Sequence, residues 1–434
     1  MGEAAERVVL AGVVIGRLAL LGLWFGGLSL LANHLSQEAM GFFALSVTFI
    51  QVFSSFIGDT LDLAILRRVP VELISNRPRA IRVLRTAFVV RLAIGLLVCA
   101  VTSAFSPFIA EVFFGGPDQW LLVVLAGVGV VGDLLSRSAL VYFQAAGSFR
   151  RLLLLDAGLQ GGRFTVVLGL ILTGQLTAMG AILTQVSVPF LVFFLAMLLF
   201  PPRLLRFGRR AFGKLEVRDV LHFSKWMILA LAIAAVSERL ELFLIGYFLD
   251  AAAAGVYFAA LILAARIPEL LEGVMATVFM PRVSQSSSEG RFREMQRAYT
   301  RWAITPAIAV VLGALWLGPW VIPLVFGESY TAAVPLVQGM LLGSMAWLAL
   351  APLASPLVAF RKPQAMVAIN LTGLLFRAVA GATLIPWLGL AGGATIFVVV
   401  NWGMTIAVLV IAWHLTTPER GGTSSLAGTE PDGG

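Results

Sequence analysis

Seven arginines stand inside long apolar runs of this chain: Arg17, Arg91, Arg137, Arg163, Arg239, Arg266 and Arg377. A guanidinium keeps its charge and forks onto carboxylate or phosphate oxygens. At the centre of an apolar span it costs about 2.5–3.5 kcal/mol on insertion scales, so it faces a partner or water. The chemistry on offer is anion binding or buried ion pairing. Asp133 precedes Arg137 by four residues, the favourable order for a pair on one helix face, which marks Arg137 as structural. Arg91 lies near the end of its run and can snorkel to the interface. Arg163 and Arg377 have no acid three or four residues away, and Arg17 stands in a run with no other charge. Arg17, Arg163, Arg239, Arg266 and Arg377 are therefore the candidate anion-binding set, with Arg17 first among them.

The same runs hold acids. Asp59 with Asp62, and Glu238 with Glu241, are spaced i,i+3, which places like charges on one helical face. That arrangement suits uptake of a proton or a sodium ion. These four acids are equally suited to neutralising arginines on neighbouring helices. Arg266 and Glu269 are spaced for a pair of their own.

Other chemistries lack their residues. Gly208 to Lys214 resembles a phosphate-binding loop, but Leu215 stands where a magnesium-binding Ser or Thr is needed. His34, His222 and His414 lie apart and form no metal spacing, and the single cysteine, Cys99, lies in an apolar run. Neither a cofactor nor a metal is expected.

The elements that must hold these residues are membrane spans. Of 434 residues 59% are hydrophobic and 12% charged, with a mean hydropathy of +0.94, against roughly 25% charged in soluble domains. A span needs about 20 apolar residues. Twelve runs qualify, near 8–32, 40–66, 87–113, 119–146, 154–173, 177–200, 222–248, 253–280, 302–326, 331–360, 364–386 and 389–415. The expected fold is an all-α polytopic membrane protein. Of the 31 basic residues, 23 fall in the two tails or in loops after even-numbered spans, and none in loops after odd-numbered ones. Because Lys and Arg are retained on the cytoplasmic side, both termini are expected inside. The net charge of +8 is then a topology signal, directed at anionic lipid headgroups and not at nucleic acid.

Two stretches echo each other: Gly41-Phe42-Phe43-Ala44-Leu45 before Arg67-Arg68-Val69-Pro70, and Gly255-Val256-Tyr257-Phe258-Ala259 before Pro281-Arg282-Val283. A second echo joins Phe149-Arg150, Arg163 and Gly180-Ala181 to Phe360-Arg361, Arg377 and Gly393-Ala394. Two six-helix halves with a site near the midplane between them follow from such a parallel repeat. The expected division is an N-terminal half over 1–200, a cytoplasmic linker over 201–221, a C-terminal half over 222–415 and a disordered cytoplasmic tail over 416–434.

These stretches, with Gly58-Asp59-Thr60-Leu61-Asp62, Met280-Pro281-Arg282-Val283-Ser284, Phe326-Gly327-Glu328-Ser329-Tyr330 and Ile385 to Ala394, resemble the polysaccharide-biosynthesis flippases of the multidrug/oligosaccharidyl-lipid/polysaccharide exporter superfamily. The resemblance covers most of the chain. It implies a flippase in the cytoplasmic membrane that carries polyprenyl-diphosphate-linked oligosaccharide by alternating access, not an enzyme. It also implies cavity arginines on the diphosphate and glycan assembly machinery as a further partner. A departure is the number of intramembrane acids, above all Glu238 and Glu241 flanking Arg239. Those acids motivate an alternative, a multidrug or organic-cation antiporter of the same fold. A membrane-embedded glycan polymerase is disfavoured by the short outer connections.

Overall fold

A bilayer core offers no water to satisfy backbone N–H and C=O groups, so long apolar runs take the one single-segment form that satisfies them internally, the α-helix. The computed structural model describes residues 3–200, 225–285, 289–351 and 362–415, with Ala354, Ser355 and Val358 between the last two. The expected linker over 201–221 and the tail from 416 lie outside the described residues, as does the side-chain placement of several residues inside helices, Arg17 among them.

Among the described residues the chain forms fourteen α-helices. The first seven are α1 (Glu3–His34), α2 (Gln37–Ser75), α3 (Arg77–Ala104), α4 (Ser106–Phe113), α5 (Trp120–Ala145), α6 (Phe149–Leu172) and α7 (Ala178–Met197). The second seven are α8 (Lys225–Ser237), α9 (Leu240–Phe248), α10 (Ala251–Gln285), α11 (Glu289–Phe326), α12 (Ala333–Leu350), α13 (Pro363–Leu388) and α14 (Leu390–Leu415). Ten helices among the described residues are long and apolar enough to cross a membrane. The first span, of which the described side chains form the shorter apolar helix Ala19–His34, and the span made jointly by α8 and α9 bring the total to about twelve.

The two halves pack by the same scheme. In the first, α1 lies on α6, α5 on α7, and α2 and α3 on α5; in the second, α8 lies on α13, α12 on α14, and α10 and α11 on α12. These are the same span pairings shifted by six spans. The halves meet chiefly along α2 and α10, with α8 also against α2. The contact is closest at the echoed glycines: a Cβ on Gly41 would fall 1.6 Å from the Ala251 carbonyl oxygen, and one on Gly255 would fall 2.6 Å from that of Gln37. At the same end the Ser29 hydroxyl and Asn33 Nδ2 both donate to the Val325 carbonyl, and Gln37 Nε2 donates to that of Ser329. The halves are thus sealed at the end away from the arginine-rich connections.

Three expectations are corrected. The basic stretch 67–86 is not a loop, because α2 runs on to Ser75 and α3 starts at Arg77, with Asn76 capping the turn and Glu72 bridging Arg79 at 3.4 Å. The run 87–113 breaks at Phe105 into α3 and α4. The described part of the run 222–248, from Lys225 onward, is two helices interrupted at Glu238 and Arg239.

Candidate functional site

The break between α8 and α9 falls in the middle of an apolar span, and non-helical backbone at that depth persists only where protein or a cavity surrounds it. Here it lines a chamber of about 330 Å³ between the halves, walled by α8, α10, α12, α13 and α14 on one side and by Trp24, Thr48 and Gln51 of α1 and α2 on the other. Arg239, Arg266 and Arg377 all line it. Arg239 sits at the break, donates through Nε to Gln51 Oε1 at 3.3 Å and pairs with Glu238 at 3.2 Å. The Arg266 guanidinium lies 4.9 Å from the centre of the Trp24 ring, a cation–π contact across the halves. Three of the five arginines selected from sequence therefore converge on one cavity.

Arg377 has no acid three or four residues away, so no partner on its own helix was expected. It has one on another helix: Glu241 of α9, to which it donates through Nη1, the two side chains being 3% and 2% exposed. No local spacing announces this pair, because its members come from different spans. The pair also overturns the expected face shared by Glu238 and Glu241. The interruption at 238–239 turns Glu241 inward to Arg377, while Glu238, 65% exposed, opens to the chamber.

Asp59 and Asp62 belong to a charge network inside the first half. Arg91 of α3 donates to Asp62 and to the Gly58 carbonyl, and Arg137 of α5 reaches Asp59 at 2.6 Å, Asp62 at 3.8 Å and Asp133 at 3.2 Å. The i,i+4 pair of Asp133 with Arg137 is present, and Arg91 does not snorkel: it is 2% exposed and held inside. Burial wins because a carboxylate one helix away satisfies the charge that would otherwise need the interface. All four acids singled out for ion uptake thus have an arginine partner in this structure.

Arg163 is set apart. It lines a second chamber of about 90 Å³ walled by α1, α2, α5, α6 and α7, with Asp133 at 4.0 Å. Arg17 lies in α1, but its side chain is outside the described residues, as is that of Glu269. Sequence reasoning passed over the uncharged polar groups in the spans: Gln51, Asn370 and Asn401 in the larger chamber, Gln160 and Gln185 in the smaller. Their signal was available, since an amide in an apolar span faces the bundle interior. Part of this polarity is structural: Asn370 donates to the Ala230 carbonyl at 2.9 Å, tying α13 to α8.

A family model described as "Polysaccharide biosynthesis protein" matches residues 30–335. No curated protein sequence matches the chain significantly. Among solved structures, the chain is similar to a lipid II flippase, MurJ, in an inward closed conformation, at 12% identity and a TM-score of 0.71, over 92% of this chain and 87% of that one. It is similar to an inward-facing multidrug resistance transporter of the MATE family and MOP superfamily, at 15% identity and a TM-score of 0.67, over 93% and 98%. A third is a MOP superfamily transporter from Pyrococcus furiosus, at 16% identity and a TM-score of 0.66, over 93% of both chains. At these identities the likeness concerns the fold.

Proposed function

We propose that this chain, which belongs to the polysaccharide biosynthesis protein family, is a transporter that flips polyprenyl-diphosphate-linked oligosaccharide across the cytoplasmic membrane by alternating access. The observation that carries this reading is the convergence of Arg239, Arg266 and Arg377 on the chamber between the halves, against Glu238 and Glu241 among the described residues. Three guanidinium groups opposed by two carboxylates give the wall a positive balance. A diphosphate moving through a low-dielectric interior needs fixed cations that do not deprotonate and that donate to two oxygens at once. Arg239 and Arg266 also touch the first half through Gln51 and Trp24, so a ligand bound there engages the surfaces that must separate in alternating access. Arg17 and Arg163 belong to the same proposal as cations along the path. Ion coupling is assigned first to Glu238, the exposed acid of the chamber, and next to Asp59, Asp62 and Glu241.

An organic-cation antiporter of the same fold is the competing reading, and the likeness to the multidrug transporter serves it equally well. The positive balance of the chamber favours an anionic ligand. Purified protein in proteoliposomes, given a fluorescent polyprenyl-diphosphate disaccharide, is expected to expose it on the opposite leaflet. Arg239→Ala should slow this about tenfold or more, the scale of a lost charge-assisted hydrogen bond of about 1.5–3 kcal/mol, with normal amounts of folded protein. Unchanged flipping by Arg239→Ala would remove the diphosphate role, and gradient-driven ethidium transport without lipid flipping would establish the antiporter.

Orientation is part of the same proposal. With Cys99 replaced by serine, a cysteine at Asn76, in the turn between α2 and α3, is expected to resist an impermeant maleimide added to intact cells. One at Asp118 or Gln175 should react. Reaction at position 76 would invert the topology.

A further inference from the structure

The two chambers occupy equivalent places in the two halves. The smaller is walled by the first, second, fourth, fifth and sixth spans, and the larger by the seventh, eighth, tenth, eleventh and twelfth, with Arg163 and Arg377 at matching positions of the repeat. They share Trp24, Gln51 and Phe258 as a common wall, so one elongated ligand can occupy both.

Their chemistry has diverged. The larger chamber is rich in cations. In the smaller, Arg163 is opposed by Asp133, and the remaining polarity comes from amides: Gln160, Gln185 and the shared Gln51. Two buried groups there make no hydrogen bond, the Gln160 side-chain oxygen and Arg163 Nε. Gln160 Nε2 is engaged with Asp156 at 3.4 Å, which leaves the amide oxygen as the unpaired acceptor. Buried polar atoms in folded proteins are nearly always satisfied, and an unsatisfied one calls for an explanation.

A neutral polyhydroxyl group answers all of these features. Each hydroxyl both donates and accepts, so it can serve the Gln160 acceptor, the Arg163 donor and the Asp133 carboxylate together. The rings of Trp24 and Phe164, also in the wall, offer apolar faces to the C–H surface of a sugar. A phosphate is disfavoured, because Asp133 already opposes the one arginine among the lining residues. We infer that the smaller chamber is a saccharide subsite, in which Gln160, Gln185, Asp133 and Arg163 hold the sugar nearest the diphosphate while the larger chamber holds the diphosphate. The inference rests on the flippase reading and adds where, and by what groups, the glycan is distinguished.

The test compares three lipids, undecaprenyl diphosphate alone and the same lipid bearing one glucose or one N-acetylglucosamine, by equilibrium binding to the full-length protein in nanodiscs. The wild type is expected to bind at least one sugar-bearing lipid about tenfold more tightly than the bare one. Gln185→Leu and Gln160→Leu should lose that preference while binding undecaprenyl diphosphate as the wild type does. Arg239→Ala should weaken all three lipids alike. Gln185→Met, which keeps the side-chain length, serves where a leucine variant melts early. The subsite is overturned by equal wild-type affinity for all three lipids, or by glutamine variants that keep the preference or weaken the bare lipid equally. Failure of the wild type to bind any of the lipids would instead defeat the flippase reading, and the subsite with it.

Discussion

Replacing Glu241 with alanine is expected to remove most of the folded protein. Its partner Arg377 is 2% exposed and lies mid-helix in α13, so the substitution leaves a buried guanidinium without its counter-charge. Its Nε is already without a hydrogen-bond partner, and Phe397 offers a ring at 5.8 Å, not an acceptor. Breaking one side of a buried pair costs about 3–5 kcal/mol, a large share of the roughly 5–15 kcal/mol that holds a typical domain together. Removing both charges has a different consequence, because apolar replacements of similar volume are often neutral or stabilising. Glu241→Leu combined with Arg377→Met should therefore recover folded protein and still fail to flip lipid, since the chamber has lost a cation. Thermal melting in detergent with membrane abundance reads the first effect, and the proteoliposome assay reads the second. A single Glu241→Ala variant melting with the wild type would show that the pair does not stabilise the fold.

A methyl group at Gly41 is expected to have the largest effect on transport. The added Cβ would lie 1.6 Å from the Ala251 oxygen and 2.4 Å from its carbonyl carbon, and both are backbone atoms at the start of α10. No side chain can rotate away, so α2 and α10 must separate. Overpacking of this kind costs about 1–3 kcal/mol, occasionally more. With tenfold per 1.4 kcal/mol, that shifts the balance between sealed and open conformations by roughly five- to a hundred-fold. Gly41→Ala should therefore hold this end ajar, raise maleimide labelling of a cysteine at Ser36, and slow flipping at least about tenfold, with the protein still folded. Gly255→Ala is expected to act in the same direction, since its Cβ would meet the Gln37 oxygen at 2.6 Å and the Gly41 nitrogen at 2.9 Å. Unchanged labelling and flipping in both variants would show that the contact opens without cost.

The glycine contact also shows what a repeat in the sequence stands for. Gly41 and Gly255 were legible as an echo, and the structure makes them two sides of one crossing. Other members of the matching stretches are structural as well. Tyr257 is fully buried and donates to the Gly393 carbonyl at 3.3 Å, while Phe326 and Tyr330 are buried beside the sealed end. Gly327 there takes a φ of +96°, a conformation that favours glycine. Resemblance across such stretches reported the scaffold more than the site.

The sequence by itself determined the membrane environment, the number of spans, the pseudo-repeat and the identity of the interior charges. These follow from composition and from terms acting over one helix, namely apolar length, the cost of a charge in lipid and the side on which Arg accumulates. Only the tertiary structure decided which charge meets which. Spacing along one helix found Asp133 with Arg137 but was blind to Arg377 with Glu241, to Arg91 with Asp62, and to the assignment of Arg163 to a chamber of its own. It was also blind to the interruption at Glu238 and Arg239, where neither proline nor glycine marks the break. The physical reason is the same in each case. A buried charge is satisfied by whatever partner packing brings within reach, and an interrupted helix is stabilised by the cavity it lines, so both are properties of the spans together.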